Sequence, residues 1–156
     1  MNALIAAALV VAAGPAEAPF DPISFFRGRT HGEGIVKIIF TGTKQVSVDS
    51  LGHDEKDGSL LLRQHIHEGT KPVRVRYWRL RQTTPGHFAG TLSDAAGPVE
   101  VDLVGNAVHI RYTDKDHLNI DQWLRPSGPT TLRNRMRVKR FGIVVAHVDE
   151  VIRKLD

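Results

Sequence analysis

Apolar and polar side chains alternate along most of the chain, most clearly between Leu118 and Ile152. A period of two, with frequent Val, Ile and Thr, is typical of β-strands that have one buried side and one solvent-facing side. From Thr131 to Arg140 the residues separate into two such faces. The less polar face carries Leu132, Asn134, Met136 and Val138, and the basic face carries Arg133, Arg135, Arg137 and Lys139.

The same alternation predicts about ten strands after Gly34. Short segments rich in Gly, Pro, Asn and Asp separate them, and these residues form turns. Gly105-Asn106 is a tight-hairpin signal between two of the strands. The predicted strands are Ile35–Thr41, Gln45–Ser50, Leu60–His67, Val73–Gln82, His87–Leu92, Val99–Val104, Ala107–Thr113, Leu118–Leu124, Thr131–Arg140 and Ile143–Ile152.

The lengths of the connections indicate the topology. None is long enough to contain a crossover helix, so consecutive strands are expected to be antiparallel neighbours. A meander of this length is expected to curl and close, because closure removes aggregation-prone edge strands. The sequence therefore predicts an all-β fold, an antiparallel up-and-down meander that closes into a β-barrel of about ten strands. The segment from Ile143 onwards also has a spacing that suits an amphipathic helix.

A short N-terminal helix is predicted before the first strand. Asp21 can cap this helix, and Pro22 suits its first position. The glycines that follow interrupt the pattern and predict a bent entry into the first strand. They are Gly28, Gly32 and Gly34.

The first residues of the chain differ in composition from the rest. Leu4–Ala13 is an apolar run too short to span a bilayer, and Ala16-Glu17-Ala18 has the small-x-small pattern of a cleavage site. The prediction is a signal peptide at 1–18, a single barrel domain at 19–156 and a periplasmic location, with an uncleaved amphipathic helix as the alternative. The sequence contains no cysteine, which excludes disulfides, a thiol nucleophile and a lipid-modified cysteine.

A formal net charge of +4 permits contact with anionic partners without requiring it. The densest basic series is Arg133, Arg135, Arg137, Lys139 and Arg140. These residues alternate with apolar ones, and no aromatic residues are interleaved among them for base stacking. We therefore expect a solvent-facing strand, no nucleic-acid partner, membrane contact that is at most peripheral, and a monomer.

Two pairs of residues place a polar group and a tryptophan on one face of a strand. Arg76 lies two residues before Trp78, and Asp121 lies two residues before Trp123. If the pairs face the interior, Arg76 offers a fork of donors for a carboxylate or phosphate, and the indoles offer flat apolar walls. Such a cavity would hold an amphipathic anion such as a fatty acid. The alternative is an internal ion pair between Arg76 and Asp121, with both tryptophans in a filled core.

Signals for a metal or for catalysis are weak. His65 and His67 share one strand face, a spacing that metals use, but a third ligand such as His109 or His147 would have to come from elsewhere. No metal and no cofactor are predicted. No Gly-x-Ser-x-Gly or His-Glu-x-x-His motif is present, so a binding protein is favoured over an enzyme. The carboxylates considered for catalysis are Asp94 and Asp121.

Several of these segments also carry a family resemblance. The motifs FFRG…GEG, RYWRL, GTLSDAAGP, GNAVHIRY, IDQWL and NRMRVKRFG follow one another from Phe20 to Lys154. In order and spacing they resemble the uncharacterised bacterial DUF3833 family. The resemblance implies an exported or lipid-anchored envelope protein with a lipocalin-like (calycin) barrel, and it implies no established activity.

The resemblance also places the family's characteristic positions on this chain. Its aromatic position after the Gly-Asn-Ala turn falls on Tyr112, and its Asn-Arg pair falls on Asn134 and Arg135. The chain departs from the family in LLRQHIHEG, where relatives commonly have an acidic residue and aromatics, and in having no lipid-modified cysteine. The predicted ligand-binding residues are Arg76, Trp78, Tyr112, Asp121, Trp123, Asn134 and Arg135.

Three functions remain open at this point. The first is an exported barrel that binds a small amphipathic or apolar ligand, with Arg76 at an anionic head and Trp78, Tyr112 and Trp123 lining the cavity. The second is an envelope structural or interaction protein with a filled barrel. The third is a hydrolase or isomerase that uses a cavity carboxylate.

Overall fold

The computed structural model describes residues 18–156, and these form a closed antiparallel barrel preceded by one short helix. The elements are α1 (Pro22–Phe26), β1 (Gly28–Ile38), β2 (Gly42–Asp54), β3 (Leu60–Glu68), β4 (Arg74–Thr84), β5 (His87–Leu92), β6 (Val99–Val104), β7 (Ala107–Thr113), β8 (Asn119–Gly128), β9 (Thr131–Arg140) and β10 (Ile143–Lys154). Each strand pairs with its neighbours in sequence, and β1 closes the barrel by pairing with β10. The predicted all-β, up-and-down barrel of ten strands is confirmed.

Strand β1 begins well before the predicted start at Ile35. Gly32 and Gly34 lie inside the strand, where they let β10 approach closely. A Cβ on Gly34 would lie 2.1 Å from the carbonyl oxygen of Asp149, and one on Gly32 would lie 2.0 Å from Oε1 of Glu150. The predicted bent entry is found at Gly28, the first residue of β1, which has φ of 85°, but it is wrong for Gly32 and Gly34. These glycines make room at the seam where the barrel closes.

Strand β10 resolves the ambiguity of the last segment. It pairs with β9 on one side and with β1 on the other, from Thr30↔Lys154 to Ile38↔Ala146. Closing the barrel satisfies the backbone hydrogen bonds of both edge strands, which an isolated meander would leave unpaired. The helical alternative for this segment is wrong.

The predicted helix is present and covers one end of the barrel. The carboxylate of Asp21 accepts a hydrogen bond from the backbone N–H of Ile23 at 3.0 Å, as an N-cap residue does. Phe25 and Phe26 are buried, and Lys154 donates to the carbonyl of Phe25 at 3.1 Å. We call this end of the barrel the closed end and the opposite end the mouth.

The hydrophobic core fills the half of the barrel next to α1 and continues towards the mouth at Tyr112 and Ile120. It includes Leu60, Leu62, Phe88, Val101, Val108 and Leu124, all less than one-tenth exposed. Among the described residues, no helix combines the length and apolar character needed to cross a membrane. The predicted signal peptide lies, apart from its last residue, outside the described range and stays a prediction.

Candidate ligand-binding site in the barrel lumen

The mouth of the barrel opens into a cavity of about 610 Å³, which we call the cup. Its walls are largely apolar because strand positions that face the interior carry Val, Ile and Met. The wall residues include Val46, Ile66, Ile120, Met136, Val138 and Val148. A cavity of this size is in the range of small-molecule sites in proteins.

Polar side chains form the floor of the cup. Gln64 is central to this floor because its amide oxygen accepts from Arg76 Nε at 2.7 Å and from Trp78 Nε1 at 2.8 Å. Its amide nitrogen donates to Oγ of Ser50 at 3.0 Å. The ring of Tyr112 meets Trp78 edge-on, with 5.9 Å between ring centroids. These contacts fix the position of Arg76 below the apolar walls.

Arg76 carries the charge of the floor. Burial lowers its pKa, but a guanidinium remains protonated at neutral pH. Its Nε is bonded to Gln64, and within residues 18–156 no carboxylate lies within ion-pair distance of it. Arg76 is half-buried, and a partly desolvated cation without a paired anion is energetically unfavourable, so an anionic ligand would lower that cost.

Glu150 is a buried carboxyl group that borders the same two cavities as Arg76. Burial raises its pKa, which favours the protonated acid. Asn134 donates to its Oε2 at 2.7 Å, while its Oε1 has no hydrogen-bond partner within the described part of the chain. A protonated Glu150 would not compete with a bound anion for Arg76.

A second, smaller cavity of about 70 Å³ lies beneath the floor, towards α1. Arg76, Asn134 and Glu150 border both spaces, so the polar floor separates the cup from the lower cavity. Side-chain oxygens of Gln122 and Asn134 also lack hydrogen-bond partners among the described residues. The lower cavity is large enough for a few water molecules, which could satisfy these oxygens.

Four of the predicted ligand-binding residues face the lumen, namely Arg76, Trp78, Tyr112 and Asn134. Arg76, Tyr112 and Asn134 line the cup, and Trp78 lines the lower cavity from the floor. Their role in binding a ligand stays a prediction.

The other three predicted residues, Asp121, Trp123 and Arg135, lie on the outer face. On β8 the buried residues are Ile120, Gln122 and Leu124, so the residues between them point outwards. Trp123 stacks on His109, with 4.0 Å between ring centroids. Placing Trp123 in the cavity wall was therefore wrong.

Asp121 pairs on the outer face rather than with Arg76. It bonds Arg137 at 3.0 Å and His109 at 2.9 Å. The internal ion pair with Arg76 considered from the sequence is therefore absent. The Arg-x-Trp and Asp-x-Trp pairs have the same spacing but opposite orientation relative to the lumen.

Two floor residues were not predicted from the sequence, Gln64 and Glu150. Each interrupts an otherwise apolar inward face, Gln64 between Leu62 and Ile66 and Glu150 next to Ile152. A polar residue in that position is the signal that could have identified them.

The histidine and carboxylate candidates are dispersed. His65 and His67 lie on the outer side of β3, and within residues 18–156 no group of three or more His, Asp or Glu side chains is arranged to hold a metal ion. Asp94 pairs with Arg74 at the rim of the cup. The basic series on β9 is partly neutralised, since Arg133 bonds Asp149 at 3.0 Å.

Solved structures with similar folds include the following two. The S-type phycobiliprotein lyase CPES from Guillardia theta matches with a TM-score of 0.70 at 8% identity, covering 86% of this chain and 90% of that chain. A protein of unknown function from the DUF3598 family of Nostoc punctiforme matches with a TM-score of 0.68 at 13% identity, covering 93% of this chain and 53% of that chain. At these identities the likeness shows the fold alone, a lipocalin-like barrel.

The sequence comparisons give the family. No curated protein sequence matches the chain. Residues 9–154, nearly the whole chain, match the family described as protein of unknown function DUF3833. The chain therefore belongs to the DUF3833 family.

Proposed function

We propose that this protein is an exported, non-enzymatic carrier that binds a small amphipathic anion, such as a fatty acid, inside the cup. The observation that carries the proposal is an apolar cup of about 610 Å³ whose floor presents the unpaired guanidinium of Arg76. Apolar walls and a single fixed cation at the base match the two parts of such a ligand.

The polar head is assigned to Arg76 because the terminal nitrogens of its guanidinium make no hydrogen bond within the described residues. A carboxylate or phosphate can accept two parallel hydrogen bonds from this fork. Gln64 holds Nε and so fixes the plane of the fork before the ligand arrives. Preorganisation of this kind lowers the entropic cost of binding.

The tail is assigned to the apolar walls, extending from the floor towards the mouth. Each buried methylene contributes about 0.8 kcal/mol, which is about fourfold in affinity. Affinity is therefore expected to rise with chain length until the tail reaches the rim. Beyond that length, further methylenes remain in water and add little.

The carboxylates considered for catalysis have other partners in this arrangement. Asp121 is on the outer face, and Asp94 is held by Arg74 at the rim. The carboxyl group at the floor of the cup, Glu150, is held by Asn134. Binding without chemistry is the function that these positions support best.

Export is part of the proposal and rests on the composition of the N-terminal residues. The apolar run at Leu4–Ala13 and the Ala16-Glu17-Ala18 pattern favour cleavage before the barrel domain. Sequencing the N-terminus of protein recovered from the periplasm should give a chain that begins shortly before Asp21. Recovery of the uncleaved chain from the cytoplasm would contradict export.

Ligand binding can be measured with Trp78 as an internal reporter. The chain contains two tryptophans, so Trp123→Phe leaves Trp78, whose indole lies at the floor of the cup, as the only one. Because Trp123 is on the outer face, this background should retain full binding. Titration with palmitate should then change Trp78 fluorescence in a saturable way.

Replacing Arg76 distinguishes the contribution of the ligand's anionic head group to affinity from that of its alkyl tail. In this background, Arg76→Met should weaken palmitate binding about 10- to 100-fold, the value of a charge-assisted hydrogen bond, while the affinity for palmityl alcohol changes little. Arg63→Met is the matched control, because Arg63 is exposed on the outer side of β3. Equal losses in both variants, or no saturable signal from any alkyl ligand, would overturn the proposal.

A further inference from the structure

Two phenylalanines at the mouth are exposed to solvent in a way that packing does not explain. Phe40, in the turn between β1 and β2, is fully exposed, and Phe141, in the turn between β9 and β10, is 89% exposed. Neither touches the core, because both turns extend beyond the barrel wall. Their large apolar rings therefore contribute nothing to folding through burial.

The backbone at these positions also disfavours phenylalanine. Phe40 has φ of 68° and Phe141 has φ of 50°, in the left-handed region that bulky residues rarely adopt. Phe141 and Gly142 form a two-residue hairpin with positive φ at both positions, a turn that prefers Asn-Gly. A phenylalanine in each turn thus has a local conformational cost, which points to a function outside folding.

The two turns are neighbours on the rim of the cup. Strands β1 and β10 pair up to Ile38↔Ala146, and the backbone N–H of Ile39 continues this pairing with the carbonyl of Val145 at 3.0 Å. Ile143, beside the second turn, is 68% exposed. Together these residues form an exposed apolar patch, the tip patch, which consists of Ile39, Phe40, Phe141 and Ile143.

Positive charge surrounds the tip patch. Residues 35–48 and 133–148, which carry the two hairpins, contain no Asp or Glu. Lys37, Lys139 and Arg140 have no ion-pair partner within residues 18–156, and the guanidinium of Arg140 lies over the ring of Phe141 at 5.5 Å. Aromatic rings at protruding tips, bordered by unpaired cations, have the chemistry of a surface that binds an anionic bilayer.

We propose that the mouth of the barrel docks on an anionic lipid surface, with the tip patch inserted among the headgroups. The cations then face lipid phosphates while the two phenyl rings reach the acyl boundary. Since the tip patch lies at the same end of the barrel as the cup opening, docking would bring that end towards the lipid. The docking requires no ligand in the cup and is independent of the function proposed above.

Vesicle flotation tests the docking directly. The full chain should float with vesicles of equal parts phosphatidylcholine and phosphatidylglycerol, and should float less with phosphatidylcholine alone or at high salt, because salt screens the cations. Phe40→Asn with Phe141→Asn should reduce partitioning about tenfold or more. Asparagine tolerates positive φ, so this variant is expected to fold.

Two controls distinguish insertion of the tip patch from non-specific adsorption of exposed apolar side chains. Leu155→Asn removes an apolar side chain that is 55% exposed at the closed end, and it should leave partitioning unchanged. Phe141→Trp should add to the emission of Trp78 and Trp123 a component that is blue-shifted on vesicle binding and quenched by brominated lipids, whereas Leu155→Trp should add no such component. Absence of flotation with the anionic vesicles would overturn the proposal, as would equal flotation of the asparagine variant.

Discussion

Gln64 connects the polar groups of the cup floor, and its replacement tests whether the floor is held together as described. Its amide makes three hydrogen bonds, to Arg76, Trp78 and Ser50, of 2.7, 2.8 and 3.0 Å. Gln64→Leu keeps a side chain of similar bulk and removes all three hydrogen bonds. Gln64 is 8% exposed, so bulk water has little access to the partners that lose the amide.

The expected loss of stability follows from which partners stay buried. Trp78 is 8% exposed, and its indole N–H would lose the acceptor that Gln64 provides, at a cost of about 1–3 kcal/mol. Ser50 is also buried and adds about 1 kcal/mol, whereas Arg76 borders the cup and can turn towards water. Burial of the more apolar leucine side chain offsets about 1 kcal/mol of this loss of stability. The free energy of unfolding should therefore fall by about 2 kcal/mol.

Urea unfolding followed by far-ultraviolet circular dichroism measures this difference without relying on Trp78. Gln45→Leu, an identical substitution at an exposed position of β2, is the matched control and should change stability by less than about 0.5 kcal/mol. If Gln64→Leu is as stable as the control, the hydrogen bonds of the floor make no net contribution to the free energy of unfolding, and Gln64 does not preorganise Arg76. Gln64→Glu keeps an oxygen that accepts from Arg76 and Trp78, so this variant should fold. Because its carboxylate pairs with Arg76, it should lose palmitate binding.

Two further predictions concern the seam and the buried acid. Gly34→Ala should destabilise the barrel by more than about 2 kcal/mol, because the new Cβ meets the backbone of Asp149. Gly97→Ala, with open space around the new Cβ, should change stability little in the same urea titration. Similar unfolding midpoints for the two variants would contradict close packing at the seam. Burial raises the pKa of Glu150, so the folded state favours the protonated acid, and this stabilisation is present at low pH and is lost as pH rises through the raised value. As pH rises from about 4 to 8, the free energy of unfolding should therefore fall less in Glu150→Gln than in the wild type. If it changes in parallel in both proteins, Glu150 has the same pKa in the folded and unfolded states.

Strand content and closure could be predicted because they depend on local patterns. Alternation marks each strand, turn residues separate the strands, and short connections leave antiparallel neighbours as the available arrangement. The start of β1 was missed because Gly32 and Gly34 have no side chains and so conceal the period of two. Their role depends on β10, which lies more than a hundred residues away in sequence.

The floor of the cup could be predicted only in part, because a single strand does not indicate which of its faces is inside when both carry large side chains. Trp78 and Trp123 occupy equivalent patterns, yet Trp123 is sheltered on the outside by His109 and by Arg125, whose guanidinium lies 4.8 Å from its ring. Glu150 was missed because the pattern V-D-E-V offers two acidic residues, of which Asp149 is outside and paired with Arg133. Such choices depend on neighbouring strands rather than on local sequence.

The most direct test of the account is a crystal structure of the protein with palmitate bound. The account predicts that the carboxylate lies within hydrogen-bonding distance of the terminal nitrogens of Arg76, with the alkyl chain running between Ile66 and Met136 towards the mouth. A carboxylate held at the rim by Lys71 or Arg74, with the tail pointing down to the floor, would contradict it. So would a cup filled by its own side chains, with palmitate bound elsewhere.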